Sequence, residues 1–288
     1  MVMADLPLKL VILARDQSLR VQNAWKELEQ FLQQQEGVEI VAAAITEDFD
    51  IEGLEADLVI TLGGDGAILR ACRQLGMKQL PLLGINLGRL GFLADLSPDQ
   101  FRQNFPAIQN RQYKIVNHLM LKTRLRRTDG TVTTHLGLNE IAVSSAGALQ
   151  MIDIELSIDD EPVTTYSCDG LIVSTPTGST AHSLSAGGPI LRQDLQAFVI
   201  TPICPHTLTN RPLVDSADCL YTLRFPHVPD GVTLVIDGQI HEGLREGDVV
   251  EVLKAPVCFQ LAKIPGHSYY KTLYRKLGWA GQPRYRVD

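Results

Sequence analysis

Short apolar runs alternate with segments of helical periodicity over the first 105 residues. The run Leu-Lys-Leu-Val-Ile-Leu-Ala at 8–14 is typical of a strand buried on both faces. Between such runs, apolar residues recur three or four positions apart, which predicts helices. This alternation predicts a parallel sheet covered by helices on both faces. The predicted strands are 8–14, 38–45, 57–62 and 80–85; the predicted helices run from Ser18 to a C-cap at Gly37, from the turn after Leu62 to Leu75, and over 97–109.

From Tyr113 onward the pattern becomes strand after strand with turn residues between them, which predicts a β-sandwich or a barrel-like domain. The last stretch, Tyr269 to Gly278, returns to helical spacing and is predicted to pack back on the first domain. We therefore predict an α/β N-terminal domain with a parallel, Rossmann-like sheet, residues 1–105 with 267–288, and an all-β sandwich C-terminal domain, residues 106–266. The predicted strands here are 113–126, 131–145, 152–158, 197–203, 219–225, 232–236 and 249–254, with a turn at Asp129-Gly130.

The most informative turn is Gly63-Gly64-Asp65-Gly66, between a predicted strand and a predicted helix. Glycines allow a ligand close to the backbone, and the start of a helix presents unpaired N–H groups that suit phosphate. A carboxylate is electrostatically awkward there. Asp65 acts on a metal or a proton near the phosphates, or it caps the following helix. The residues alone leave both interpretations open.

Two further stretches are candidates for ligand binding. The pair Asn139-Glu140 offers donors and acceptors for a ribose, although a turn at a strand end is the simpler interpretation. The stretch from Asp169 to Pro189 is crowded with hydroxyls and small residues, and favours a loop that wraps a polar ligand. Asp237-Gly238-Gln239 is an ordinary hairpin signal.

Composition and the absence of several motifs exclude some classes of protein and of binding site. A net charge of −7 argues against a general affinity for nucleic acid or anionic membranes. The five cysteines are scattered and never spaced C-x-x-C, which argues against a disulfide framework and a zinc site. With no signal-peptide layout and no membrane-spanning apolar run, we expect a cytoplasmic protein. The Walker motif, the usual dinucleotide fingerprint and the nucleophile elbow are all missing from the sequence.

Taken together and in this order, the motifs resemble the NAD kinase family, from about Asp57 to Gly278. They are Gly-Gly-Asp-Gly; Pro81-Leu-Leu-Gly-Ile-Asn-Leu-Gly-Arg-Leu-Gly-Phe-Leu; Asn139-Glu140; Asp169-Gly-Leu-Ile-Val-Ser-Thr-Pro-Thr-Gly-Ser-Thr-Ala; and Thr201-Pro-Ile-Cys-Pro-His-Thr-Leu. The resemblance implies phosphorylation of the adenosine-ribose 2′-hydroxyl of NAD, by ATP or polyphosphate, to give NADP. It also implies a divalent metal, Mg²⁺ or Mn²⁺, with the donor and without fixed protein ligands, and a homodimer or homotetramer.

The resemblance also implies residue roles. Asp65 matches the acid that takes the 2′-hydroxyl proton, and the donor-phosphate loop is Gly63, Gly64, Asp65 and Gly66. The implied NAD contacts are Gly66, Arg70, Phe92, Asn139, Glu140, Ser167, Asp169, Thr177, Thr180, Ala181, His182, Ser183, Ser185 and Gln239. The sequence departs from the family at His182, where Tyr is usual. Relatives vary at the position of Ser167, so the use of NADH stays open.

Two other functions remain as alternatives. Lipid kinases carry a similar Gly-Gly-Asp-Gly turn, but the sequence offers no obvious membrane-facing apolar or basic surface. A non-catalytic dinucleotide-binding regulator would gain little from Asp65 near phosphates. Incubation with ATP, Mg²⁺ and either NAD or diacylglycerol separates the kinases, and NAD binding without NADP formation would favour the regulator.

Overall fold

The computed structural model describes residues 6–14, 18–45, 51, 53–88, 91–94, 96–145, 151–207, 210–265 and 269–278. Arg89, Leu90 and Leu208 of the family-like motifs, and the N-terminal residues 1–5, lie outside these ranges. The chain divides into two compact units, Met1–Gln74 with Leu80–Val116 and Gln260–Asp288, and Leu75–Gln79 with Asn117–Phe259. In the described ranges, no helix has both the length and the apolar character that a membrane span requires.

The elements follow one another along the chain in a strand-rich order. The strands are β1 (Leu8–Ala14), β2 (Val38–Ala44), β3 (Leu58–Leu62), β4 (Leu82–Ile85), β5 (Lys114–His118), β6 (Leu121–Arg126), β7 (Val132–Gly137), β8 (Glu140–Ser145), β9 (Ile152–Ile158), β10 (Glu161–Cys168), β11 (Gly170–Ser174), β12 (Ala197–Ile203), β13 (Leu213–Ser216), β14 (Tyr221–Arg224), β15 (Val232–Ile236), β16 (Ile240–Gly243), β17 (Val249–Lys254) and β18 (Phe259–Lys263). The α-helices are α1 (Leu19–Gln33), α2 (Asp65–Leu75), α3 (Pro98–Gln109), α4 (His182–Ser185) and α5 (Tyr269–Lys276).

The first unit is built on a six-stranded sheet in the order β2-β1-β3-β4-β18-β5. The pairs β1–β2, β1–β3, β3–β4 and β4–β18 are parallel. All five residues of β3 are buried, as its continuous apolar run predicts. Helix α3 begins with a capping box, in which the Ser97 hydroxyl accepts from the Gln100 N–H at 3.2 Å. The parallel sheet and its helices confirm the predicted α/β class for this part of the chain.

The second unit is a sandwich of two antiparallel sheets, in the orders β10-β9-β14-β17-β6-β7 and β13-β12-β11-β8-β15-β16. Strands such as β9 alternate buried and exposed residues, so each sheet turns one face to a shared core. Phe198 from β12 and Tyr221 from β14 meet in that core edge to face, with ring centres 5.7 Å apart. The predicted all-β sandwich is confirmed, and the barrel-like alternative is wrong.

Several predicted boundaries are wrong for physical reasons. Helix α1 ends at Gln33 with Gln34 as its C-cap, and Gly37 instead supplies a left-handed turn three residues later. The predicted strands 113–126 and 131–145 are each two strands, and the second divides at Leu138-Asn139. The sequence pattern missed β10, β13, β16 and β18. The first three lie at sheet edges. Most of β10 is exposed, and β13 and β16 alternate half-buried with exposed side chains, so all three lack the apolar pattern of a buried strand.

Candidate active site

In the first unit, the Gly-Gly-Asp-Gly turn connects β3 to α2, as the sequence predicts. Gly63 has φ +142°, and a Cβ there would lie 2.8 Å from the Cβ of Ala67. Its N–H donates to the Ile85 carbonyl at 3.0 Å, which ties the turn to the end of β4. Asp65 is the first residue of α2. The N–H groups of Ala67 and Ile68 donate to the Gly64 carbonyl, at 2.9 and 3.4 Å. N–H groups at the start of a helix carry positive partial charge.

The Asp65 carboxylate binds the second glycine-containing loop. Its Oδ2 accepts the Phe92 N–H at 2.8 Å, and its Oδ1 accepts the N–H groups of Leu93 and Ala94 at 3.0 Å each. These partners lie in the loop after β4, and the hydrogen bonds of the described residues include none from this carboxylate to α2 itself. The interpretation of Asp65 as a helix cap is therefore wrong. A carboxylate has about four lone-pair sites, so Oδ2 retains room for another donor.

The loop that receives Asp65 is itself closely fitted. A Cβ on Gly91 would lie 2.0 Å from Oδ1 of Asp65, so only glycine fits. The Asn86 side chain braces the same loop, accepting from the Gly88 N–H at 2.7 Å and donating to the Ala94 carbonyl at 3.2 Å. The position of the Asp65 carboxylate therefore depends on two loops that are distant in sequence.

Two cationic side chains lie in this unit near the candidate residues. The Lys276 ammonium, at the end of α5, lies 5.1 Å from the ring centre of Phe92, within the range of a cation–π contact. Arg70, one turn into α2, is half-buried. Arg70 and Phe92 stay predictions as NAD contacts. No local signal in the sequence indicated Lys276, because its contact with Phe92 depends on the packing of the last helix.

In the second unit, Asn139 directly precedes β8 and Glu140 is the first residue of that strand, and both lie against the hydroxyl-rich loop. The Thr175 N–H donates to the Asn139 carbonyl at 2.8 Å, and the Thr175 hydroxyl donates to the Leu138 carbonyl at 2.6 Å. A Cβ on Gly178 would lie 2.2 Å from the Asn139 carbonyl oxygen. The Asn139-Glu140 pair and the hydroxyl-rich loop, which are separate motifs in the sequence, therefore form one cluster.

Glu140 is an acid in an unusual environment. It is 8 % exposed, and within the described part of the chain its Oε2 has no hydrogen-bond partner. Burial, with a contribution from the negative charge of Asp237, raises the pKa of Glu140 to about 8. At neutral pH the carboxyl is therefore largely protonated, and it can donate a hydrogen bond as well as accept one.

Several hydroxyls predicted to contact NAD have partners inside the protein. Thr177 Oγ1 lies 3.1 Å from Nδ1 of the buried His118, and the fully buried Ser183 hydroxyl lies 2.9 Å from that of Thr201. The Thr180 hydroxyl donates to the Thr177 carbonyl at 3.1 Å. These bonds shape the loop, so contacts from this part of it to a ligand would come largely from backbone groups and exposed side chains.

The remaining predicted contacts lie around the same loop and strands. Ser167 on β10 donates to the carboxylate of Asp153, and the Asp169 N–H donates to the Ile203 carbonyl at 3.0 Å. Ala181 and Gln239 are half-buried, whereas His182 and Ser185 are exposed. All of these stay predictions as NAD contacts. Two residues of this cluster, Asp237 and His118, were not predicted from the sequence. The Asp237-Gly238 turn was a local signal for Asp237, whereas no local signal indicated His118.

Comparison with known proteins decides the family. The ATP-NAD kinase N-terminal domain matches residues 17–113, and the ATP-NAD kinase C-terminal domain matches residues 138–264. The chain belongs to the NAD kinase family. It is 48 % identical to an NAD kinase of Rhodopirellula baltica over 276 residues, which cover 96 % of this chain and 88 % of that protein. It is 37 % identical to an NAD kinase of Geobacter metallireducens over 94 % of this chain and 98 % of that protein.

Solved structures of the family share the fold. A crystal structure of an NAD kinase from Archaeoglobus fulgidus in complex with ATP matches with a TM-score of 0.70 and 27 % identity, over 95 % of this chain and all of that one. A crystal structure of yeast NADH kinase complexed with NADH matches with a TM-score of 0.89 and 23 % identity. The match covers 98 % of this chain and 90 % of that one. This second likeness supports the fold alone.

Proposed function

We propose that this chain transfers the terminal phosphoryl group of ATP to the 2′-hydroxyl of the adenosine ribose of NAD, giving NADP and ADP. Membership in the NAD kinase family gives the reaction. The observation that supports a residue-level mechanism is the fixed carboxylate of Asp65, whose Oδ2 accepts one N–H and has capacity for another donor. A hydroxyl is such a donor.

Phosphoryl transfer depends mainly on positioning and charge stabilisation. In the proposed step, the bond from the 2′-oxygen to the terminal phosphorus forms, and the bond to the bridging oxygen of ADP breaks. The hydroxyl proton passes to Asp65. A carboxylate is a weak base toward an alcohol, so the proton moves late, as the new oxygen–phosphorus bond forms. The three N–H bonds hold Asp65 still while it orients the hydroxyl.

The donor phosphates are proposed to bind at the start of α2, where the Gly63–Gly66 backbone and the helix dipole favour negative charge. Among the described residues, no group of three or more His, Cys, Asp or Glu could hold a metal ion. A divalent ion, Mg²⁺ or Mn²⁺, would be held by the phosphate oxygens of the donor, since such hard cations prefer oxygen ligands. When bound, such an ion neutralises phosphate charge.

NAD is proposed to bind through the second unit, with Asn139 and Glu140 on a ribose and the 169–185 segment around the rest. The uncharged Glu140 carboxyl supports this proposal, because it can both donate to and accept from the hydroxyls of a ribose. The half-buried Gln239 and the exposed His182 are further proposed contacts. His182 would replace stacking by the usual tyrosine with a hydrogen bond.

The test is NADP formation by the purified full chain with NAD, scanned across ATP, other triphosphates and polyphosphate, with Mg²⁺, Mn²⁺ or EDTA. We expect NADP with ATP and a divalent ion, and none with EDTA. Parallel reactions with NADH and with diacylglycerol test the acceptor. Detectable NAD binding with no NADP from any donor would overturn the proposal in favour of a binding protein.

We further propose a homodimeric or homotetrameric cytoplasmic enzyme without nucleic-acid or membrane partners. The five cysteines are all free thiols, which supports a reducing compartment. The net charge of −7 supports the absence of an anionic polymer as partner. Light scattering of the purified chain would give the oligomer size.

A further inference from the structure

Asp237 lies in the tight turn between β15 and β16, and the proposed mechanism gives its side chain no role. Asp237 and Gly238 both have left-handed backbones, with φ of 51° and 65°, and the Gln239 N–H closes the turn on the Ile236 carbonyl at 3.0 Å. Asp and Gly adopt such angles at little cost, which is why the sequence pattern indicates a hairpin and nothing more. The turn by itself does not require a carboxylate.

The side chain of Asp237 binds the backbone where β8 begins. Its Oδ2 accepts the Leu138 N–H at 2.7 Å, and its Oδ1 accepts the N–H groups of Asn139 at 2.8 Å and Glu140 at 3.0 Å. The Asp237 N–H in turn donates to the Glu140 carbonyl at 2.9 Å. Hydrogen bonds to an ionised carboxylate are about twice as strong as neutral ones.

The other side of the same backbone is also held. The Thr175 hydroxyl donates to the Leu138 carbonyl at 2.6 Å, and the Thr175 N–H donates to the Asn139 carbonyl at 2.8 Å. Every backbone N–H and C=O of residues 138–140 is therefore bonded to either Asp237 or Thr175. These six hydrogen bonds fix the backbone of the tripeptide, and the Asp237 carboxylate accepts three of them.

We propose that Asp237 is a positioning residue for NAD, whose carboxylate sets the backbone from which Asn139 and Glu140 present their side chains to the ribose. The inference rests on the proposed function, because it takes Asn139 and Glu140 as ribose contacts. Asp237 acts through these two residues.

Asp237 also acts on Glu140 through its charge. The Glu140 carboxyl is buried, its Oε2 is without a partner among the described residues, and Asp237 is the charged group that raises its pKa alongside burial. Negative charge beside a buried acid favours the protonated form. Asp237 therefore helps to keep Glu140 able to donate to a ribose oxygen.

The test variant is Asp237→Asn, with Asp159→Asn as its matched control. Asn tolerates the left-handed backbone, so the turn persists, but its single oxygen cannot serve all three N–H groups. Asp159 is also left-handed, at φ 49°, and its Oδ1 accepts the Leu220 N–H at 2.8 Å in a turn of the same unit. We expect Asp237→Asn to raise the dissociation constant for NAD by about tenfold or more, and Asp159→Asn to leave it unchanged.

The pH dependence of NAD binding provides the readout that a merely structural role would not move. Loss of the Asp237 charge lowers the pKa of Glu140, so the pH above which NAD affinity falls should move to lower pH in Asp237→Asn. In a Glu140→Gln background the same substitution should produce no such shift. An NAD affinity equal to that of the unchanged chain, a loss matched by Asp159→Asn, or an undisplaced pH curve would each overturn the inference.

The outcomes also separate this inference from the proposed function. If the unchanged chain forms no NADP from any donor, the proposed function fails. If it forms NADP and Asp237→Asn binds NAD and turns over normally, the function stands and the role of Asp237 fails. Urea unfolding of both Asn variants verifies that each is folded at the assay temperature.

Discussion

Gly91 leaves no space for a side chain beside Asp65, because a Cβ at Gly91 would lie 2.0 Å from the Asp65 Oδ1. The backbone of Gly91 therefore lies directly against the Asp65 carboxylate, and each limits the position of the other. Real Cβ atoms do not approach so closely, so any substitution at Gly91 must displace the Asp65 carboxylate or the loop itself. The proposed catalytic group is thus positioned by a glycine that has no chemistry of its own.

Substitution of Gly91 should therefore reduce turnover. We expect Gly91→Ala to lower kcat by roughly 10²-fold, the cost of moving a reacting group by about 1 Å. Gly88→Ala in the same loop is the control, since its Cβ would meet its nearest neighbour, an Arg20 nitrogen, at 3.7 Å. Steady-state NADP formation measures both variants. Equal kcat values for the two would contradict the positioning role of Gly91.

Asp65→Asn should separate chemistry from binding. The amide cannot take a proton, so we expect kcat to fall by about 10² to 10⁴-fold, the range for loss of a general base. NAD affinity should fall far less than kcat, because Asn139 and Glu140 keep their proposed contacts to the ribose. Part of the kcat loss will come from the loop, since a single amide oxygen cannot accept all three N–H groups that the carboxylate accepts. Titration calorimetry with NAD and a coupled NADP assay provide the two measurements.

The control for this variant is Asp57→Asn. Asp57 is a carboxylate of the same unit that accepts the Lys9 N–H and the Arg111 guanidinium, each at 2.9 Å. We expect it to change stability without a comparable loss of kcat. Wild-type turnover in Asp65→Asn would remove Asp65 from the catalytic role.

Glu140 should make stability depend on pH. Its pKa is about 8 in the folded chain, above its ordinary value of 4.5. Between these values the folded chain holds a proton that the unfolded chain releases, so the stabilisation is complete below about pH 4.5 and is lost as pH rises to about 8. The slope approaches about 1.4 kcal/mol per pH unit in the free energy of unfolding.

Urea unfolding between pH 5 and pH 8 tests this slope. Glu140→Gln should flatten the pH dependence relative to the unchanged chain, whereas Glu155→Gln, at an exposed position of β9, should preserve it. If both variants follow the pH dependence of the unchanged chain, the buried acid has no such effect.

The sandwich core should depend on the aromatic pair that joins its sheets. Phe198 is fully buried against Tyr221, so Phe198→Ala should cost about 3–5 kcal/mol of unfolding free energy. Phe198→Leu retains most of the volume and should cost less. Denaturant midpoints give both values, and a loss below 1 kcal/mol, about that of one methylene, for Phe198→Ala would contradict the packing argument.

Local and periodic features were predictable from the sequence. Strand β1 follows from one continuous apolar run, and the start of α1 follows from Ser18, whose hydroxyl accepts the Val21 N–H at 3.4 Å. The sheet-edge strands β13 and β16 were not predictable, because each is four residues long, alternates half-buried with exposed side chains and has no continuous apolar run. Local sequence patterns reflect only residues that are near in the chain. An edge strand forms because it pairs with another strand that can lie far away in the sequence.

The sequence by itself determined the two classes of unit, the glycine turn and the candidate residues, because periodicity and turn chemistry are local. Tertiary structure decided what the two aspartates do. Asp65 binds N–H groups 27 to 29 residues away, and Asp237 binds N–H groups 97 to 99 residues away. No local pattern encodes such partners, since they meet only when separate strands pack into their sheets and bring a carboxylate to unpaired backbone donors.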